Sequence, residues 1–310
     1  MTLIPLGILA ASGAGGIIVS VAGYFAGGSG TSTVDKFAFP ADTRTTLGTG
    51  LSSGNVGMGN MSNPNVAGYV SGGDSGSTLT TVDKFAFPAD TKSTLGTGLS
   101  SAVYYPAGMQ NWQTAGYTMG GLNSSETAMT TVNKFAFPGE SRTTLGIGLS
   151  NARGLFTGLS NSGVAGYAAA GYDGGGRLTS VEKFAFPSDS RSILATGISV
   201  ATDHVAGTSN SGVAGYVAGG STGTFTAIVE KFAFPSDTRT TLGTGLSSAR
   251  RICRGMSDYN VAGYIGGGKA GSNVTTVDKF AFPSDTRTTL GTGLSSAREV
   301  GAGFENSGTV

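Results

Sequence analysis

Short stretches of alternating apolar and polar residues recur along this chain, each bounded by glycine, proline or aspartate. In 273–282, NVTTVDKFAF, Val277 and Ala281 fall on one side of an extended strand, and Phe280 and Phe282 fall on the other. Successive side chains of a strand point to opposite faces, so this spacing predicts a β-strand. The segment Pro-Ser-Asp at 283–285 follows and fits a tight turn, because proline presets φ and aspartate bonds its own backbone.

The same pattern occurs six times. The motif KFAFP begins at Lys36, Lys84, Lys134, Lys183, Lys231 and Lys279. A tyrosine in AGY precedes it each time, at Tyr24, Tyr69, Tyr117, Tyr167, Tyr216 and Tyr264. Residues 231–250 and 279–298 are the same letter for letter. A period of about 48 residues predicts propeller blades or a solenoid.

Each repeat contains four predicted strands, which in the last full repeat are 251–257, 261–268, 273–282 and 286–296. The chain begins inside the second strand of a repeat, and 298–310 supplies the first strand that this repeat lacks. The two ends are therefore complementary and would close a ring without open sheet edges. We predict an all-β, six-bladed β-propeller (21–310) with four strands per blade, closed by the C-terminal strand in the first blade and preceded by an apolar arm (1–20).

Composition agrees with this class. Glycine accounts for 54 of 310 residues and only 12% of residues are charged, which suits tight turns and suits helices poorly. The net charge of +1 gives no sign of nucleic-acid binding. A single cysteine, Cys253, and a single histidine, His204, are too few for a structural zinc site or a disulfide, and no nucleophile-elbow motif accompanies His204. We therefore expect no enzyme, no metal and no cofactor, with Cys253 as a buried filler.

The segment 3–28 contains no charged residue. A signal peptide would carry Lys or Arg before its apolar run, and none is present there. Seven glycines would break up a transmembrane helix, and VAGYFAGG has counterparts in later repeats. We expect no membrane insertion.

The repeat at 214–250 resembles a kelch repeat. It has a double glycine, Gly219-Gly220, after an apolar strand, an aromatic residue, Phe232, in the next strand, and then a turn with Pro and Asp. The resemblance covers about 21–310. Where kelch repeats carry a tryptophan after the turn, this chain has a cation, at Arg44, Lys92, Arg142, Arg191, Arg239 and Arg287. Kelch propellers include enzymes and binding modules, so the resemblance implies a fold and leaves function open.

The opening MTLIPLGILAASGAGG is similar to the start of many structural proteins of tailed bacteriophages, especially those that infect cyanobacteria. Near-identical units with KFAFP and AGY are also similar to phage tail-associated proteins. The resemblance implies a virion protein of the tail or fibre region, located on the extracellular particle. It assigns docking on other virion proteins to Ile4, Leu6, Ile8 and Leu9. A second interpretation, compatible with the first, is that these side chains pack against the propeller.

Two segments of each repeat vary while the rest stays nearly constant. One joins the second and third strands, and the other follows the fourth; in a propeller both emerge on one face, around the channel mouth. Loops on a rigid scaffold commonly carry recognition, although neutral drift of exposed loops is an alternative. The predicted ligand-binding residues are Tyr104, Tyr105, Phe156, Tyr172, Asp173, Asp203, His204, Arg251, Arg254 and Lys269, with Phe225 and Glu299 beside them. Trp112 falls on the opposite face, where packing and partner contact both stay open.

The sequence thus predicts a non-enzymatic virion protein whose variable loops bind a host-surface glycan or protein during adsorption. The first alternative is a decoration or assembly protein that contacts other virion subunits, and homo-oligomers are left open. A kelch-like enzyme is a further alternative, which the scarcity of His, Cys and clustered acids disfavours.

Overall fold

The computed structural model of the protein describes residues 17–310 and contains six antiparallel sheets of four strands, one for each repeat. The strands in chain order are β1 (Ile18–Gly28), β2 (Thr31–Ala38), β3 (Thr43–Thr46), β4 (Gly59–Asn63), β5 (Ala67–Ser71), β6 (Val82–Ala86), β7 (Thr91–Thr94), β8 (Ala107–Asn111), β9 (Ala115–Met119), β10 (Val132–Ala136), β11 (Ser141–Thr144), β12 (Thr157–Asn161), β13 (Ala165–Ala169), β14 (Val181–Ala185), β15 (Ser190–Ile193), β16 (Ala206–Asn210), β17 (Ala214–Ala218), β18 (Val229–Ala233), β19 (Thr238–Thr241), β20 (Arg254–Asp258), β21 (Ala262–Gly266), β22 (Lys269–Ala270), β23 (Ser272–Asn273), β24 (Val277–Ala281), β25 (Thr286–Thr289) and β26 (Ala302–Thr309).

The sheets form a ring around a central channel. The inner strands contact one another in the cyclic order β26, β4, β8, β12, β16, β20 and back to β26. Blade one has the order β26-β1-β2-β3, and blades two to six follow in sequence. The short ribbon β22-β23 lies in a loop of blade six. The predicted six-bladed propeller is confirmed.

The C-terminal strand closes the ring as the sequence predicts. β26 pairs with β1 from Ile18 opposite Thr309 to Ala26 opposite Ala302. Ile17 and Val310 extend the pairing, each donating its N–H to the carbonyl of the other at 2.9 Å. β1 starts at Ile18, so residues 18–20 belong to blade one, although the predicted arm extended to residue 20.

A cluster of four side chains, which we call the clamp, joins each blade to the next. At the first junction the Tyr24 hydroxyl donates to Asp90 Oδ1 at 2.7 Å, and Lys36 Nζ lies 2.6 Å from Asp90 Oδ2. The ring of Tyr24 stacks on Phe87, with centroids 5.6 Å apart. The other clamps are Tyr69–Lys84–Glu140–Phe137, Tyr117–Lys134–Asp189–Phe186, Tyr167–Lys183–Asp237–Phe234, Tyr216–Lys231–Asp285–Phe282 and Tyr264–Lys279–Asp42–Phe39. The clamp uses residues of AGY, KFAFP and the turn after it, which explains why these segments hardly vary.

The end of the twenty-residue repeat, SSAR, serves a second junction. Ser295 donates its backbone N–H to Asp35 Oδ2 at 2.9 Å, and Arg298 pairs with the same carboxylate at 2.9 Å. The buried pairs Arg250–Asp278 and Arg153–Glu182 take the same place in blades six and four. Hydrogen bonds from the serine and the arginine charge hold the pKa of Asp35 below its ordinary value despite burial. The carboxylate therefore stays charged inside the ring.

The AGY glycine leaves space for the preceding blade. A Cβ atom on Gly116 would lie 2.6 Å from the sulfur of Met61, a side chain that points from the inner strand of blade two. A larger residue at this position would have to displace the Met61 side chain, which would disturb the packing between the two blades.

Candidate binding faces of the ring

Neighbouring strands are antiparallel, so successive connections alternate between the two faces of the ring. The residues in these connections differ between the two faces. The loop face, as we define it, carries the connections between the second and third strands and those between the outer strand and the next inner strand. The turn face carries the two short turns of each blade. The variable segments in which we predicted ligand-binding residues all lie on the loop face.

Within a blade, the two connections of the loop face pair through their backbones. Tyr104 and Leu122 exchange N–H···O bonds of 2.9 and 2.7 Å, and Asp203 and Ser221 exchange bonds of 3.0 and 2.9 Å. Equivalent bridges join Val56 to Asp74, Gly154 to Tyr172 and Arg251 to Lys269. Backbone pairing holds these loops in place whatever side chains they carry.

A second set of backbone bonds runs around the channel mouth, and we call it the belt. Its residues are Gly57, Tyr105, Leu155, His204, Ile252 and Val300. Each of the last five donates its N–H to the carbonyl of the belt residue before it, over 2.6 to 3.2 Å, and Met58 N–H to Gly301 carbonyl completes the circle at 3.2 Å. Tyr105 and His204 have φ of 51° and 55°, a left-handed conformation that L-residues rarely adopt and that surrounding bonds must maintain. The belt therefore fixes the backbone and leaves the side chain free to vary.

Tyr105 and His204 place their rings together over the channel. Their centroids are 5.7 Å apart in an edge-to-face arrangement, and Tyr104 lies 5.2 Å from Tyr105. His204 Nδ1 is 2.9 Å from Asp203 Oδ1, and Arg177 Nε is 3.2 Å from Asp203 Oδ2. Blades three, four and five thus contribute to one polar and aromatic cluster. Sequence reasoning missed Arg177, although it lies in the variable segment 172–178.

A groove of about 520 Å³ opens beside this cluster on the loop face. Tyr104 and Tyr105 form one wall, and Asp74 and Glu126 contribute carboxylates from the loops of blades two and three. Burial, followed by the nearby Glu126 and Asp74 charges, raises the pKa of Tyr104, whose hydroxyl stays a neutral donor. The volume falls within the range of small-molecule sites. Both acids were missed; they too lie in variable segments.

Several residues that were predicted to bind a ligand are buried inside the propeller. Phe156 is only 3% exposed and packs with Met119 and Leu149, so its assignment to a binding surface is wrong. The residue after each belt residue turns inward, as the burial of Met58, Val205 and Cys253 also shows. Asp203 is 5% exposed, with its carboxylate occupied by His204 and Arg177.

Tyr172 and Asp173 order their own loop. The Tyr172 hydroxyl donates to the carbonyl of Gly174 at 3.0 Å. Asp173 Oδ1 accepts the backbone N–H groups of Gly176 and Gly175 at 2.8 and 2.9 Å, and these bonds lower the pKa of its carboxyl group. Their loop lies on the predicted face, but the polar groups named here bond within the loop.

The remaining predicted residues belong to blade six and its neighbours. Arg251 lies 5.2 Å from the ring centroid of Phe225, and Arg251 and Lys269 are backbone partners. Arg254 is 8% exposed and donates to the carbonyls of Gly301 and Cys253 inside the channel, at 3.1 Å each. Cys253 is buried, as predicted, and burial raises the pKa of its thiol.

On the turn face, Trp112 and Tyr259 of opposite blades meet edge to face over the channel, with centroids 5.3 Å apart. The cavity beneath them measures about 30 Å³ and is lined by serines together with Gln110 and Glu305. That volume holds about two waters. A shallow depression of about 630 Å³ surrounds the aromatic pair. Four valines, Val66, Val164, Val213 and Val261, are 40–46% exposed on this face.

Within residues 17–310, no group of three His, Cys, Asp or Glu side chains is placed to hold a metal ion. In the same range, no helix has the length and apolar character needed to cross a membrane.

Comparison with solved structures agrees with the architecture. A structure entitled "Structure of YjhT" aligns with a TM-score of 0.68 and 14% sequence identity, over 84% of this chain and 91% of that one. The chain is a β-propeller of six blades. At this identity the likeness concerns the fold alone. No protein-family model matches the chain, and no curated protein sequence matches it.

Proposed function

We propose that this six-bladed propeller is built from kelch-like repeats and is a non-enzymatic virion protein of a tailed bacteriophage, and that its loop face binds a host-surface glycan or protein during adsorption. One observation carries the proposal: six blades share the same clamps, while the loops that differ are held by backbone bonds on one face, where those of blades two and three line a groove with two tyrosines. A fixed scaffold with variable loops is typical of recognition modules.

The chemistry of the groove favours a glycan. Aromatic side chains supply an apolar surface with a polar edge, which suits the face of a sugar ring. The Glu126 carboxylate and Oδ2 of Asp74 lie beside Tyr104 as acceptors for sugar hydroxyl groups, while Asp74 Oδ1 accepts the Gly76 N–H at 2.8 Å. We infer that a saccharide lies against Tyr104 with its hydroxyls toward these acids.

The position of Ile17 supports an oriented attachment. Ile17 lies on the turn face, so residues 1–16 join the ring on the side opposite the groove. The proposed docking residues Ile4, Leu6, Ile8 and Leu9 lie outside the described residues. Attachment through this end would direct the loop face away from the particle.

The exposed valines of the turn face favour a second candidate, a decoration protein that contacts other virion subunits. Exposed apolar groups grouped on one face can mark a contact between proteins. In this case the turn face would carry the function and the loop face would be dispensable.

Binding of the labelled full-length protein to host cells, with cyanobacteria tested first, separates the two candidates. We expect Tyr104→Ala and Glu126→Gln to weaken binding at least about tenfold, which corresponds to about 1.4 kcal/mol. The matched control Val213→Ser should bind normally. Normal binding by both groove variants, together with loss of Val213→Ser from particles, would replace the first candidate by the second.

A further inference from the structure

At its loop-face end, blade six carries three cations without acidic partners, Arg251, Arg254 and Lys269, and we call them the cationic corner. A fourth, Arg287, lies apart from them on β25 and donates to the Gly245 carbonyl. Among residues 17–310, no carboxylate oxygen lies within 4.0 Å of their side-chain nitrogens. The buried Arg250 nearby, in contrast, pairs with Asp278 at 2.9 Å. The corner therefore holds positive charge that the described protein does not neutralise.

The fold brings two of these charges together. Arg251 and Lys269 are directly opposed backbone partners, joined by N–H···O bonds of 2.9 and 3.2 Å. Like charges in this arrangement repel. Arg251 rests on Phe225, and its Nε is buried without a hydrogen-bond partner. In the described part of the chain, six other arginines, Arg44 and Arg250 among them, also have a buried Nε without a partner, so this atom alone does not distinguish the corner.

Arg254 adds a charge from inside the channel. It is 8% exposed, and it donates to two neutral carbonyls, those of Gly301 and Cys253. Burial lowers the pKa of its guanidinium group. Arg254 and Arg251 both counter the rise in the pKa of Tyr105 that burial causes, which places their charges near the phenol. A buried cation of this kind is stabilised strongly by an anion that also accepts its hydrogen bonds.

The acidic residues of the loop face determine where the anionic group of a ligand can bind. Asp74 and Glu126 line the groove by Tyr104 and would repel an anion there. Glu299 lies near Arg254 and Tyr105 but forms no ion pair with a described residue, so it reduces the positive potential of the corner only in part. An anionic group would enter beside Tyr105 on the blade-six side.

We propose that the cationic corner binds the carboxylate or phosphate of an acidic glycan. The neutral sugar rings of the same chain would extend toward Tyr104 and the groove. This inference rests on the proposed function, because it specifies the class of glycan that the loop face recognises.

The test uses the full-length protein with four probes: tetragalacturonate, its neutral counterpart galactotetraose, inorganic phosphate and glucose. Arginine Nε–Hε resonances report contact at the guanidinium groups. We expect tetragalacturonate or phosphate to shift the Arg251 and Arg254 signals, and the neutral sugars to leave them in place. The shift should weaken with added salt, since exposed ionic contacts are screened.

Variants make the result specific. Arg251→Gln and Lys269→Gln should each weaken binding of the anionic probe about fivefold or more, whereas Arg44→Gln, the same charge change on β3, should have no effect. Absence of a shift with both anions, or a shift that survives both substitutions, would overturn the proposal. Host-cell binding that persists in these two variants would leave the proposed function standing without the acidic-glycan assignment. If Tyr104→Ala loses cell binding while the anionic probes still shift the arginine resonances, the proposed function and the acidic-glycan assignment are both supported.

Discussion

The clamp and the belt both join neighbouring blades, but the clamp is formed by side chains and the belt by backbone groups. The clamp relies on side chains: the Tyr167 hydroxyl and the Lys183 ammonium both reach Asp237 in the next blade. The belt relies on the backbone, as His204 N–H donates to the Leu155 carbonyl at 2.6 Å. A junction made by side chains fixes their identity, whereas a junction made by backbone groups does not. This difference explains how one chain can be almost constant between blades and variable around the channel mouth.

The largest effect should come from breaking the ring itself. Deletion of 302–310 removes β26, exposes the edge of β1 and removes Phe304, which stacks on Tyr24 and Phe85 at 4.7 and 5.5 Å. We expect loss of the cooperative unfolding transition, because domains are stable by only about 5–15 kcal/mol. Deletion of 1–16 is the control and should leave the melting temperature within a few degrees. A 302–310 deletion that melts normally would contradict closure by β26.

At one channel-lining position of the inner strands, Gln110 and Glu305 replace the serine that the other four blades carry. Glu305 occupies the place of Ser160, Ser209 and Ser257, and it accepts a hydrogen bond from Gln110 Nε2 at 2.9 Å. Burial raises the pKa of Glu305 to about 8 from an ordinary 4.5. The folded protein therefore binds a proton more tightly than the unfolded chain, so this group stabilises the fold at low pH and loses that effect as pH rises toward 8.

The effect on stability is on the order of 3 kcal/mol between pH 5 and pH 8. Glu305→Gln should remove this pH dependence and raise the urea midpoint at pH 8. The isosteric substitution tests charge without changing volume. If the free energy of unfolding of Glu305→Gln varied with pH between 5 and 8 as it does in the unsubstituted protein, Glu305 would be ionised within the ring. Asp35 acts in the other direction, since its lowered pKa gives stability that is lost only as pH falls below its ordinary value of 3.8.

A smaller loss should follow from breaking one clamp. Asp237→Ala leaves Tyr167 and Lys183 without their shared acceptor, and we expect a loss of about 2 kcal/mol in urea denaturation. Solvent reaches both charged partners, which keeps the figure below that of a fully buried pair. Asp237→Asn is the matched control, because it retains an oxygen acceptor and should lose less. Equal losses would mean that the charge, and not the hydrogen bond from tyrosine, dominates the clamp.

The smallest effect should come from the belt. Leu155 has a φ of 60°, which glycine adopts at no steric cost. Leu155→Gly should therefore change the free energy of unfolding by less than about 1 kcal/mol, in either direction. Urea denaturation measures this directly, and a loss above that of Asp237→Ala would show that the belt depends on its side chains.

Much of the fold could be predicted because each blade repeats the same clamp. The six spacings of KFAFP and the complementary ends were sufficient for blade number, strand order and closure. The loop face was harder to predict. The left-handed backbone at Leu155 reverses the direction of the next residue, so Phe156 points inward although it lies in a variable loop. The meeting of Trp112 with Tyr259, 147 positions apart in the chain, depends on the ring diameter, which no local pattern encodes.

The pairing of Ile17 with Val310 also has a mechanical consequence. Tension applied through residues 1–16 would enter the ring along the axis of β1. This strand is bonded on one side to β26 over eight residue pairs and on the other to β2 over six. Such a load acts in shear, so all of these bonds share it at once, and none can open alone as it would in a peeled hairpin. A propeller held at its turn face and pulled at its loop face would thus bear force on its best-paired strand.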